Sequence, residues 1–296
     1  MGAKKSLKPD ITIIGCGTPS PTPDRFGSAH LVDIAGEKIL FDCGPATTWK
    51  LVQNGIKPTD INTVIFTHHH FDHDADFPTF ILTRWDQMVP RDRELHIYGP
   101  TLTEEFTNGI IDEDYGLFRH DWKARVGHPG SHVTFVDRGG ILPRSKPLVI
   151  PKDVGPGVIV ENDRYRITGA PADHVQPFLD SLAYRIDTDE GSVVITGDTA
   201  PCDSVTELSR GADVMMIMCW ESHDRIGGTD HELATCSIRS AAETAEEAGV
   251  KELVMVHIGA RLALPENAEA NEKEAREVWG GELVWGYEGM KVPWPK

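Results

Sequence analysis

Cysteine, positive charge and long apolar runs are all scarce in this chain. Its five cysteines (Cys16, Cys43, Cys202, Cys219, Cys236) are odd in number and far apart, with no C-x-x-C pair. They offer no disulfide framework, and read as reduced, mostly buried thiols of a cytoplasmic protein. Lys and Arg number 29 against 46 Asp and Glu, a net charge of -17 with histidine neutral. That balance argues against a general nucleic-acid coat, which needs clustered cations, but leaves a local basic patch open. The longest apolar run, residues 214–220, has seven members. A bilayer span needs about 18 or more, so no membrane segment is expected. The basic start has no apolar stretch behind it, as a secretory signal would. Gly2 followed by Ser6 fits an N-myristoylation pattern, one short enough to arise by chance. No internal repeat and no Ser/Gly linker divides the chain, so a single domain over 1–296 is expected. A chain of 296 residues can bury about 75% of its unfolded surface and needs no staple.

Short apolar runs alternate with helical spacing. Residues 11–14, 31–34, 38–41, 62–66, 192–196 and 214–218 read as strands between Gly and Pro turns. Residues 74–85 have helical spacing, and 233–248 read as a long Ala/Glu-rich helix closed by Gly249. Residues 113–160, full of Gly, Pro and His, read as an irregular insertion with strands at 132–136 and 157–161. Strands come in runs early and alternate with helices later. That order suits an α/β fold of two mixed sheets with helices outside.

Histidine is what the chain has in excess: 13 in all, four of them within residues 68–73. The segment Thr67-His68-His69-His70-Phe71-Asp72-His73 follows a strand directly, so His68, His70, Asp72 and His73 can converge from one loop. Imidazole and carboxylate suit Zn²⁺, with Mn²⁺ or Fe²⁺ as substitutes. Four ligands do not close two sites. His174, Asp198 and His257 each sit at or beside the end of a further strand; singly each has a plain structural reading, together they complete a ligand set. His69 reads as a spacer pointing away. His30, His96, His120, His128 and His132 read as surface or loop residues, and Trp85 and Trp122 as core or lid.

The order H-x-H-x-D-H, H, D, H resembles the metallo-β-lactamase superfamily. The segments 14–25, 41–44, 97–100, 181–185 and 197–199 resemble its RNase Z and arylsulfatase branch, and the likeness runs along nearly the whole chain. It implies an αββα sandwich with two metal ions at one edge. Carried over, His68, His70 and His174 hold the first ion, Asp72, His73 and His257 the second, and Asp198 bridges them. The implied chemistry is attack by a metal-bridging hydroxide, oriented by Asp72, with His231 protonating the leaving group. Asp42 and Asp173 are candidates to fix the imidazoles, and Glu232 to orient His231. A homodimer is implied too.

Three departures bear on the substrate. Asp76 stands where the family usually has Gly. The strand before the pocket ends Met218-Cys219-Trp220-Glu221 rather than in Glu directly. A long Gly-rich basic arm for tRNA is not evident. The expectation is therefore a dinuclear hydrolase of a small molecule: an aryl sulfate, phosphoester, lactone or similar ester, or an activated aryl chloride. The alternatives are an RNase Z-type tRNA 3′-end endonuclease and a non-catalytic metal-binding sensor, against which the complete ligand set speaks.

Overall fold

The computed structural model describes residues 6–295; Gly2 and its acylation pattern lie outside them. The first sheet runs β1 (Asp10–Cys16), β2 (Ser28–Ile34), β3 (Glu37–Phe41), β4 (Ile61–Ile65), β5 (Leu95–Gly99) and β6 (Val149–Asp153), in that spatial order. The second comprises β7 (Gly157–Glu161), β8 (Tyr165–Pro171), β9 (Leu182–Thr188), β10 (Gly191–Ile195), β11 (Val214–Met218), β12 (Glu252–Val256) and β13 (Glu282–Trp285), again in sequence order across the sheet. Both sheets are mixed: antiparallel hairpins at one side, parallel neighbours at the other.

Ten helices complete it: α1 (Thr47–Gln53), α2 (Phe71–Asp74), α3 (Phe77–Gln87), α4 (Thr103–Ile111), α5 (Arg119–Gly127), α6 (Pro129–Asp137), α7 (Asp203–Ser209), α8 (His223–Ile226), α9 (Ile238–Ala248) and α10 (Ala268–Arg276) among the described residues. Ile39, Phe41, Tyr184, Ile195, Met216 and Val254 belong to one apolar cluster drawn from both sheets. Leu40, Val64 and Ile97 join Phe77, Phe80 and Trp122 in a second, between the first sheet and its helices. Met215, Ile217 and Met255 join Ala241, Ala245 and Trp279 in a third. Successive residues of β11 thus serve opposite faces, and both faces are covered. That is why the run reads as continuously apolar rather than alternating. The layers are αββα, as expected.

Five expectations are corrected. Residues 113–160 are not irregular: they hold α5 and α6, then β6 and β7, which close one sheet and open the other. The segment 132–136, read as a strand from its β-branched residues, lies in α6. Pro129 starts that helix, His128 Nδ1 caps it at Gly130 N (3.1 Å), and Phe135 is buried beneath it. Burial of one large side chain per short helix outweighs β propensity here. Residues 74–85 are not one helix but parts of α2 and α3, because Pro78 must sit in a first turn. The long helix begins at Ile238, not 233, because Ser237 and Ser240 form a reciprocal capping box. His30, expected near the surface, is 2% exposed within β2.

Candidate metal centre

Every sequence-selected ligand lies just past the carboxyl end of a strand: 67–73 after β4, His174 after β8, Asp198 after β10 and His257 after β12. In open α/β sheets that edge is where ligands bind, because side chains leaving parallel strands converge there. Two backbone features allow the convergence. A Cβ at Gly44 would run into the Asp72 carbonyl, so only glycine lets the motif loop settle on this segment. Asp42 and His257 adopt left-handed conformations, φ 59° and 48°, unfavourable for side chains of this size and held by the surrounding contacts.

His68 Nε2 and His174 Nε2 each lie 3.1 Å from His70 Nδ1. Ligand nitrogens about 2.0–2.1 Å from one ion stand roughly 2.9–3.4 Å apart, so this triangle has the size of a metal site. Beyond it, Asp72 Oδ2 lies 3.1 Å from His257 Nε2 and 3.6 Å from His73 Nε2. Asp198 stands between the two groups. Its Oδ1 is 3.4 Å from His73 Nε2, and its Oδ2 is 3.3 Å from His257 and 3.9 Å from His174. Residues His68, His70 and His174 could hold one ion, and Asp72, His73 and His257 another.

The outer nitrogens of His73 and His174 are engaged, which leaves their inner ones facing the cluster. His73 Nδ1 donates to Asp42 Oδ2 at 2.8 Å. Asp42 Oδ1 also accepts the Thr67 N–H at 2.8 Å. His174 Nδ1 donates to the Ala234 carbonyl at 2.6 Å. These contacts fix the tautomers and aim the lone pairs inward. Three buried atoms of the cluster have no hydrogen-bond partner: His73 Nε2, Asp198 Oδ1 and His257 Nδ1. A buried polar atom left unsatisfied is costly. The first two face one another across the space between the groups, so the donor set fits divalent metal.

Burial drives His68 well below the usual imidazole range, with His73 beside it adding to the effect. Burial also lowers His70. Both are neutral, as ligation requires. At Asp198 burial pushes upward, but the imidazoles of His257 and His73 outweigh it and hold the carboxyl well below its ordinary value. At His73 burial pushes downward and the Asp198 and Asp42 carboxylates outweigh it. The bridge position is therefore an anion. The nearby thiols do not compete: burial raises Cys219 well above its usual value and Cys236 to about 12.

Outside the ligand set the outcome is mixed. Asp42 acts as expected, whereas Asp173 is exposed and contributes its backbone carbonyl, to Ala200 N. His69 does turn away, to Asp74 (3.2 Å) and Thr103 (2.8 Å). Asp76 takes no part in the cluster; it accepts the Thr48 N–H at 2.5 Å and so caps α1. His231 is exposed in a 3₁₀ turn, Asp230–Leu233, its ring 4.7 Å from that of Trp220. Glu232 does not orient it: that carboxylate accepts Gly228 N and faces His223. Sequence reading missed Thr67, Ala234 and the burial of His30. A backbone carbonyl such as that of Ala234 leaves no trace in a sequence.

A model of the beta-lactamase superfamily domain matches residues 37–258. The chain belongs to the metallo-β-lactamase superfamily, in its RNase Z branch. A ribonuclease Z of Mycobacterium bovis is 32% identical over 257 residues, 84% of this chain and 85% of that one. The metallo-β-lactamase fold protein YhfI of Bacillus subtilis superposes with a TM-score of 0.73 at 21% identity, covering 96% of this chain and 98% of that. The short form of human tRNase Z gives 0.67 at 20%, covering 97% and 100%. The chain is accordingly a metal-dependent hydrolase.

Proposed function

We propose that this protein is a dinuclear-metal phosphodiesterase of the RNase Z type, cutting precursor tRNA at its 3′ end. The observation that carries the reading is the position of Asp198 between two complete three-ligand groups. The curated ribonuclease Z relatives add weight to the RNA substrate over the small-molecule one. His68, His70 and His174 would hold one Zn²⁺, Asp72, His73 and His257 the other, and Asp198 would bridge; Mn²⁺ or Fe²⁺ suits the same donors. Bound ions of this kind supply Lewis acidity and lower the pKa of water towards about 7. Asp72 is ionised, because its hydrogen bond to His257 outweighs burial, and its carboxylate orients the attacking water. As the phosphorus–oxygen bond breaks, a ring nitrogen of His231 gives its proton to the leaving oxygen. The whole chain acts as one domain, since 113–160 supplies a strand to each sheet. A reducing cytoplasm and a homodimer complete the proposal.

A second reading, hydrolysis of a small phosphoester, sulfate ester or lactone, is favoured by the net charge of -17. So acidic a surface gains little from counterion release. The deciding experiment sets precursor tRNA beside bis(p-nitrophenyl) phosphate, using zinc-loaded and chelator-treated protein over a range of salt. Chelator-sensitive cleavage of both is the expected result. Turnover of the chromogenic diester alone moves the assignment to small molecules. Cleavage of neither, with metal bound, rules out phosphodiester chemistry.

A further inference from the structure

Three large apolar side chains that stand in solvent lie close along the chain to two candidate ligands or to the residue that holds one of them. Phe71, inside the motif between His70 and Asp72, is 55% exposed. Phe178, four residues after His174, is 86% exposed. Leu233, 72% exposed, precedes Ala234, whose carbonyl holds His174. Single exposed hydrophobics are ordinary, but these three come from separate segments tethered to the same pair, His70 and His174. His70 is partly exposed, whereas His68, Asp72, His73 and His257 are buried and the His174 side chain is only 7% exposed. The cluster therefore opens to solvent at His70, and the three apolar side chains lie on segments joined to it or to His174.

The loop that carries Phe178 is not loose. Gln176 accepts the His174 N–H (2.8 Å) and donates to the Ala172 carbonyl (2.8 Å). Phe178 N donates to Val175 O at 3.0 Å, and Asp180 accepts from Thr101 at 2.5 Å. A loop pinned at both ends holds a bare phenyl ring outward. A chain with 46 acidic against 29 basic residues gains little overall from contact with backbone phosphates. Stacking on a base is the sequence-tolerant, uncharged alternative, and an aromatic face is what it needs.

We propose that Phe71, Phe178 and Leu233 form an apolar rim that receives an unpaired nucleobase next to the phosphate being cut, with Phe178 as the stacking platform. This rests on the phosphodiesterase reading above and names the feature of substrate that the site recognises. The substrates for the test are two short single-stranded RNAs, identical except that one lacks the base beside the scissile phosphate. Wild-type kcat/KM favours the base-bearing RNA by about tenfold, carried mainly by KM. Phe178→Ala brings that ratio close to one, and Phe178→Trp restores it. The metal-free protein provides an independent readout. It quenches 2-aminopurine placed at the same position, and Phe178→Ala abolishes the quench. Cleavage by wild type with no base preference, or a quench that survives Phe178→Ala, overturns the rim and leaves the phosphodiesterase reading standing. If wild type cleaves neither RNA, precursor tRNA and bis(p-nitrophenyl) phosphate decide the phosphodiesterase reading, and the quench alone decides the rim: dependence on Phe178 supports base recognition, and its absence overturns it.

Discussion

Around Asp86 in α3, three arginines close in: Arg138 at 2.7 Å, Arg144 at 2.9 Å and Arg125 at 3.2 Å. Close by in the chain, buried Arg84 donates to the carbonyls of Ile61 and Arg93 and to Asn62 Oδ1. Around Asp198 three imidazoles close in at 3.3–3.9 Å, yet Asp198 Oδ1 and His73 Nε2 are left without partners. Both clusters take charge out of water. The first compensates that charge from within the chain, so it acts as a brace pinning α5 and α6 to α3. The second is two lone pairs short of compensation, which suits a site waiting for a cation. Arg144 Nε in the brace also lacks a partner, so the difference lies in the central carboxylate: both Asp86 oxygens accept from arginine, whereas Asp198 Oδ1 has no donor.

Breaking the second cluster has the largest expected effect. Asp198→Ala lowers kcat/KM towards bis(p-nitrophenyl) phosphate by about a thousandfold or more, with metal content falling in parallel by atomic absorption. Unchanged turnover would remove Asp198 from the bridge. Breaking the brace moves a different quantity. Asp86→Ala lowers unfolding free energy by about 1–3 kcal/mol, because three guanidiniums lose their shared anion. Diester turnover stays within about twofold, since distant sites contribute independently. A large activity loss without destabilisation would mean that the two regions are coupled.

The smallest effect tests whether every orphan marks a site. Glu252 is buried in β12, its Oε1 has no partner, and it pairs in register with Glu282. Burial, and then Glu282, push its carboxyl up to about 7. The folded state thus binds more protons than the unfolded one between about 4.5 and 7. Stability from this group is fully present below about 4.5 and is lost as pH rises through 7. Glu252→Gln should raise stability at pH 8 by about 1–2 kcal/mol and flatten the slope across that window, read by thermal unfolding at several pH values. A variant no more stable at pH 8 would show that Glu252 already has compensation in solution.

Much of this was legible beforehand. The convergence of the candidate donors is readable because each follows a β-branched or apolar run closely, so a short reach along the chain places it at the sheet edge. The run 214–218 matched β11, since burial on both faces leaves a sequence no polar interruptions. Segment 113–160 was misread because its helices are short and its Gly and Pro residues look like loop. There Trp122 and Phe135 anchor the helices by tertiary burial rather than by propensity. His231 was placed just before the long helix, but the capping box of Ser237 starts that helix seven residues later.

The sequence by itself determined which residues offer donors, the carboxylate rather than thiolate at position 198, and the αββα layering, since residue type and period are local properties. Only the tertiary structure decided which donors share a group, which nitrogens of His73 and His174 are held from outside, and which apolar side chains near them stand in solvent. His257 and Asp72 are 185 residues apart yet 3.1 Å distant, and no spacing along a chain encodes a distance set by how two sheets pack.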